Sequence, residues 1–157
     1  MTKITHIVAC DKNGGIGLNG ELVWHLPAEL KHFKDATLGH ACLVGRTTAE
    51  KLPVLPRRVV LTVSSVNPLE QRLSEAQAFC EALSTNEIFI IGGAKLYEST
   101  ADIVDRVIIT KIMNKFDCDT FYKMPQGMKL KELKRTDCDT NRMTGLIEEY
   151  AIEVWEK

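Results

Sequence analysis

Ile88-Phe89-Ile90-Ile91-Gly92-Gly93-Ala94-Lys95-Leu96-Tyr97 is an apolar run that ends in a glycine pair and opens into a helical pattern. Val44-Gly45-Arg46-Thr47-Thr48 repeats that arrangement with a basic residue and two hydroxyls added. Each stretch reads as a strand delivering backbone amides to a helix start, where free N–H groups and partial positive charge bind phosphate. Two such junctions suggest a ligand with more than one phosphate group. The plainer reading of Gly92-Gly93 is a tight turn. The pair also lacks the G-x-G-x-x-G spacing of a dinucleotide fingerprint.

Other apolar runs lie on either side of these two. Ile7-Val8-Ala9-Cys10, Ala41 to Val44, Val59 to Val63 and Val107 to Thr110 are short and near-continuous. Strands of that kind occur where helices cover both faces of a sheet. Helical patterns fall between them. Leu26, Leu30, Phe33 and Thr37 share one face, with Pro27 suited to a first turn. Ser74-Glu75-Ala76-Gln77 reads as a capping box, followed by Ala76, Phe79, Cys80 and Leu83 on one face. Near the C-terminus, Lys129 to Asp137 and Leu146 to Glu156 are strand-like, with Asp139-Thr140-Asn141-Arg142 as the turn. The fold class is therefore α/β, with a mostly parallel central sheet, flanking helices and a C-terminal antiparallel hairpin closing one edge. No linker or repeat divides residues 1–157, so one domain is expected.

Bulk composition narrows the function classes. With 20 Lys+Arg against 21 Asp+Glu the net charge is -1, and no basic block suggests nucleic acid. No apolar stretch approaches the ~20 residues needed to cross a bilayer, and no signal-peptide pattern opens the chain. The five cysteines are odd in number and form no C-x-x-C, which argues against disulfides and a cysteine zinc site. The four histidines show no ligand spacing, so no metal is expected. Reduced cysteines and the lack of a leader point to the cytoplasm.

Two features suggest chemistry. Glu29 borders the apolar stripe of its helix, where loss of water raises a carboxyl pKa. It reads either as a solvated first-turn glutamate or as a carboxylate for a cationic or amidine-like heterocycle. Gly45-Arg46-Thr47-Thr48 suits a phosphomonoester such as the 2′-phosphate of NADP, against an ordinary cap with a surface arginine.

The segment from Ile16 to Lys34 joins these features. Ile16-Gly17, then Trp24-His25-Leu26-Pro27-Ala28-Glu29, then Phe33 follow the order I-G, loop, W-x-L-P-x-[DE]-x-x-x-F. G-R-x-T at Gly45, L-P-x-R at Leu55 and I-G-G at Ile91 come next, and Thr110 falls on a late strand. This ordered set resembles the dihydrofolate reductase family over nearly the whole chain. The resemblance implies an NADPH-dependent monomer that reduces dihydrofolate and serves one-carbon metabolism as an antifolate target. It implies that Glu29 binds the pterin amino group and N3, with Thr110 steadying the carboxylate and Trp24 placing a water. Leu30, Phe33, Leu52 and Leu55 would wall the substrate, and Arg58, rather than Arg57, would pair with its glutamate tail.

On the cofactor side, the resemblance implies that Ile91, Gly92, Gly93, Ala94, Lys95 and Leu96 approach the pyrophosphate. A cis peptide is expected at Gly92-Gly93. Gly45, Arg46, Thr47, Thr48, Ser64 and Ser65 would hold the adenosine side. Ile16, Gly17, Leu22 and Tyr97 would border the nicotinamide, and Ala9 would touch both rings. Asn13 to Val23 would form a flexible loop closing over the site, with Leu22 among its catalytic contacts. The chain departs from the family pattern at Val23, where proline is common, and at Ala49, where an aromatic is common. Its connections between Arg46 and Arg58 and between Ser65 and Gly92 look short. A pyrimidine reductase of riboflavin synthesis is the alternative on the same fold; it does not need Trp24 and Glu29.

Overall fold

The computed structural model describes residues 2–157. Its elements in chain order are β1 (Lys3–Cys10), β2 (Gly15–Gly17), α1 (Pro27–Thr37), β3 (Ala41–Gly45), α2 (Arg46–Ala49), β4 (Val59–Val63) and α3 (Leu69–Leu83). They continue with β5 (Glu87–Ile90), α4 (Ala94–Ser99), β6 (Arg106–Ile112), β7 (Thr120–Phe121), β8 (Lys129–Thr140) and β9 (Ile147–Glu156). Seven strands form one sheet in the order β4-β3-β5-β1-β6-β9-β8. β1, β3, β4, β5 and β6 run parallel, while β9 is antiparallel to both β6 and β8. The expected parallel sheet with an antiparallel C-terminal hairpin is present.

The apolar runs are continuous because both sheet faces are covered. Val8, Leu43, Ile88 and Ile90 pack with Ala76 and Cys80 of α3 and with Leu96 and Tyr97 of α4. Ile7, Cys42 and Phe89 point the other way, toward Trp24, Leu26 and, on α1, Ala28, Phe33 and Ala36. The period-two alternation of the strands thus supplies two cores from one run. Leu26 is 1% exposed, and burying a leucine stabilises by about 1.5–3 kcal/mol. All five cysteines are free; Cys10, Cys42 and Cys80 are buried, and Cys138 is exposed.

Two local expectations need correction. The helix expected to start at Ser74 starts at Leu69, behind Pro68, and Ser74 lies inside it. Leu69 and Leu73 pack on the same core as Ala76 and Cys80, so the apolar stripe extends one turn further back. Leu83 is exposed and does not share that buried face. At the C-terminus β8 runs on to Thr140, so Asp139 and Thr140 belong to the strand. The turn lies between Asn141 and Leu146, closed by Asn141 N–H donating to Leu146 O at 2.8 Å.

Candidate active site

In parallel sheets ligands bind where strands end, at the crevice where connections diverge. β1, β3 and β5 end together here. Gly45 N–H donates to Gly92 O at 2.8 Å, and Ile91 N–H donates to Leu43 O at 2.9 Å, which zips the two glycine junctions side by side. The Gly92-Gly93 peptide is cis, and Gly92 has φ +115°. A Cβ on Gly93 would lie 2.7 Å from Thr48 Oγ1, and one on Gly45 would lie 3.7 Å from Gly92 O. Gly93 therefore keeps the floor of the cradle open.

The helices after these junctions are short: α2 has four residues and α4 has six. Dipole alignment is correspondingly small, so backbone amides and side chains carry more of any phosphate binding than expected from the sequence. Arg46 and Thr47 are exposed at the rim, with Arg46 Nη1 3.5 Å from Glu50 Oε1. Ser64 is half-buried and its hydroxyl accepts from Asn67 N–H at 3.2 Å; Ser65 is exposed. Ile91 and Ala94 are half-buried and Lys95 is exposed. The Leu96 side chain is in the core and its N–H donates to Gly93 O at 3.0 Å, so this residue supports the turn. Tyr97 is buried, and its hydroxyl donates to Ile7 O at 2.8 Å.

The expected substrate side is built on α1. Pro27 opens the helix, and Leu26 before it provides no side-chain cap. The cap comes from far away in sequence: Ala28 N–H donates to Asp139 Oδ2 at 2.8 Å. Next to it, His25 N–H donates to Asn141 Oδ1 at 3.0 Å, and Arg142 N–H donates to His25 O at 2.9 Å. The C-terminal hairpin thus clamps the start of the helix that carries Glu29. Sequence reading missed Asp139 and Asn141, because a side chain from another strand leaves no local capping pattern.

Glu29 is half-buried, and loss of water pushes its carboxyl up to about 7. Thr110 is 1% exposed on β6, a cross-strand partner of Ala9 on β1. Trp24 is 4% exposed and packs against Phe116 with ring centroids 5.3 Å apart. Leu30 is 44% exposed and Phe33, Leu52 and Leu55 are half-buried, so this apolar surface is open. Arg58 Nε donates to Pro56 O at 3.1 Å and Nη1 to Thr37 Oγ1 at 3.4 Å, which holds the guanidinium at the end of α1. Arg57 is exposed with φ +61°, so the backbone itself separates the two arginines.

The loop after β1 is tied at base and tip. Ile16 is half-buried and Gly17 buried within β2, which pairs antiparallel with β7. Asn19 and Gly20, at φ +52° and +78°, form a hairpin turn between Leu18 and Glu21. Gly20 O accepts from Lys51 Nζ at 2.9 Å, and Leu22 stands 58% exposed. Buried Asp11, also missed in the sequence, accepts from Asn13 N–H, Gly15 N–H and Phe116 N–H, each at 2.8 Å.

The sequence model of the dihydrofolate reductase family matches residues 3–154. The chain belongs to the dihydrofolate reductase family. A dihydrofolate reductase type 9 from Escherichia coli is 30% identical over 169 aligned residues, covering 99% of this chain and 93% of that protein. The dihydrofolate reductase of Bacillus subtilis (strain 168) is 34% identical over 125 residues, covering 76% and 74%. That of Drosophila melanogaster is 36% identical over 146 residues, covering 78% and 80%. With the family comes its class, an NADP-dependent oxidoreductase (EC 1.5.1.3) of folate and tetrahydrofolate metabolism, and the pyrimidine reductase alternative is not favoured. No described helix is long and apolar enough to cross a membrane, and no described group of His, Cys, Asp and Glu could hold a metal ion.

Proposed function

We propose that the chain, as a cytoplasmic single-domain monomer without a nucleic-acid partner, reduces 7,8-dihydrofolate to 5,6,7,8-tetrahydrofolate with NADPH. The observation that supports this reading is a water-poor carboxyl at Glu29 on a chain whose glycine junctions leave a backbone cradle open. NADPH would supply the hydride for C6 of the pterin.

The residues present fit that cofactor. Gly92, Gly93, Ala94 and Lys95 offer an open backbone for a pyrophosphate, and Thr48 lies beside Gly93. Arg46 and Thr47, exposed at the rim next to Ser64 and Ser65, suit a 2′-phosphate, where a guanidinium binds two oxygens at once. Ala9, Ile16, Gly17, Leu22 and Tyr97 would enclose the nicotinamide.

Glu29 would accept from the two N–H donors of the pterin amidine edge, fixing which ring face turns to the cofactor. Thr110, Trp24 and Leu22 would surround that edge. Leu30, Phe33, Leu52 and Leu55 would hold the aromatic body of the substrate, and Arg58 its α-carboxylate. N5 takes its proton from water, in the field of Glu29. Because burial raises the Glu29 pKa to about 7, this group binds a proton up to neutrality. The proton-dependent rate should therefore fall as pH rises through about 7.

The test follows NADPH absorbance with dihydrofolate added to pure, folded protein. Steady loss of absorbance supports the reading, and no turnover at any pH between about 5 and 9 would sink it.

A further inference from the structure

Beneath the proposed nicotinamide site lies a buried polar cluster that the reaction as described does not use. His6, on β1, is 0% exposed and faces the same side as Val8 and Cys10. One ring nitrogen, Nδ1, is 2.9 Å from the Tyr122 hydroxyl; the other, Nε2, is 2.7 Å from Thr100 Oγ1. Thr100 caps the end of α4. Its hydroxyl hydrogen goes to Leu96 O at 2.7 Å.

These contacts fix the direction of every bond. Thr100 has one hydrogen to give, and Leu96 O receives it, so Thr100 Oγ1 accepts from His6 Nε2–H. Burial lowers the His6 pKa to about 4, so the ring is neutral near pH 7 and carries one proton. With that proton on Nε2, Nδ1 is a bare acceptor and Tyr122 must donate to it. A directed chain results, from Tyr122 through His6 and Thr100 to the backbone of α4. Leucine or phenylalanine at position 6 would fill the space without setting any orientation.

Tyr97 rests on this chain. Its ring centroid is 5.0 Å from that of His6 and 5.1 Å from that of Tyr122, the latter edge-on at 88°. Its hydroxyl is anchored to Ile7 O, the residue after His6. A Cβ placed on Gly92 would meet Tyr97 Oη at 3.4 Å, so the same ring supports the glycine cradle. Tyr97 is therefore held from behind by His6 and Tyr122, from the side by β1, and in turn holds Gly92.

We propose that His6 is a positioning residue for hydride transfer: its neutral Nε2–H ring, pinned by Thr100 and Tyr122, sets the place of Tyr97 and of the nicotinamide against it. This rests on the reading of Tyr97 as a nicotinamide contact. Small displacements at a reacting centre lower rates steeply, so the effect falls on the chemical step more than on affinity. The dihydrofolate side, built on α1 and the opposite sheet face, is not part of the cluster.

The experiment combines the free protein and three near-isosteric variants. Long-range nitrogen–proton NMR on histidine-labelled protein should place the His6 proton on Nε2. Single-turnover reduction with NADPH and with NADPH deuterated at the transferred hydrogen should show hydride transfer slowed about tenfold in His6→Leu. Tyr122→Phe and Thr100→Val should each slow it roughly threefold, with the isotope effect more fully expressed. The dihydrofolate KM should stay within about twofold of the parent. A proton on Nδ1, or a parental hydride rate in folded Tyr122→Phe whose only change is a lower Tm, overturns the proposal. If His6→Leu does not fold, Tyr122→Phe, which loses one oxygen, decides. A parent that lacks turnover defeats the proposed function instead, and then the tautomer decides this inference: a proton on Nδ1 overturns it.

Discussion

The two halves of the site are built in different ways. The proposed cofactor side is local: two strands end, each runs straight into a glycine junction, and Gly45 N–H bonds directly to Gly92 O. The proposed substrate side is assembled across the chain. Glu29 owes its raised pKa to burial, and its helix is capped by Asp139, 111 residues away from Ala28. A phosphate cradle can be made from backbone alone, because every residue supplies an N–H. A carboxyl with a shifted pKa needs distant segments brought together to exclude water.

Changes at Glu29 test that contrast most severely. Glu29→Gln keeps the shape and removes the titration; turnover at neutral pH should drop by 10²-fold or more on the scale of general acid–base catalysis, with NADPH affinity unchanged. The same variant has a stability signature. The folded pKa of about 7 lies above the ordinary carboxyl value of 4.5, so the folded state binds more protons between them. Stability from Glu29 is full below about 4.5, declines as pH rises, and is lost above about 7. Glu29→Gln should therefore raise Tm relative to the parent at pH 8, by an amount worth roughly 1–3 kcal/mol, and leave it little changed at pH 4. Parallel melting curves would expose carboxyl burial as unimportant.

Gly93→Ala attacks the local half. The added Cβ meets Thr48 Oγ1 at 2.7 Å, so something must shift, and NADPH should bind about 10–100-fold more weakly while the melting curve keeps its pH shape. Full NADPH affinity would show that the cradle lies elsewhere. Next in size is Arg46→Ala, which should weaken NADPH about tenfold and NADH little, since only NADPH carries the 2′-phosphate. Equal losses for both nucleotides would remove Arg46 from that role. The smallest effect belongs to the distant cap. Asp139→Ala should cost ~1 kcal/mol of stability and raise the dihydrofolate KM more than the NADPH KM. If the two constants move together, the hairpin does not serve the substrate half specifically.

Legibility in the sequence follows the same divide. The five parallel strands were readable because apolar runs with both faces buried need no partner to be recognised. Glu29 could be singled out by its place beside the stripe, but the size of its shift depends on packing. Ser74 misled because a capping pattern inside a longer apolar stripe does not start a helix when Leu69 and Leu73 also reach the core. Thr110 was readable as part of a late strand, but that this strand sets it beside Ala9 of β1 came only with the sheet register. The His6 chain was invisible, since residues 6, 100 and 122 share no local pattern.

The sequence by itself determined the α/β class, the strand ends, the glycine junctions and the family, all of which rest on neighbouring residues or on motif order. Only the tertiary structure decided how Glu29 loses water, which residue caps its helix, and which side chains meet around His6. Those properties depend on distances between segments remote in the chain. A sequence specifies such distances only through the completed fold.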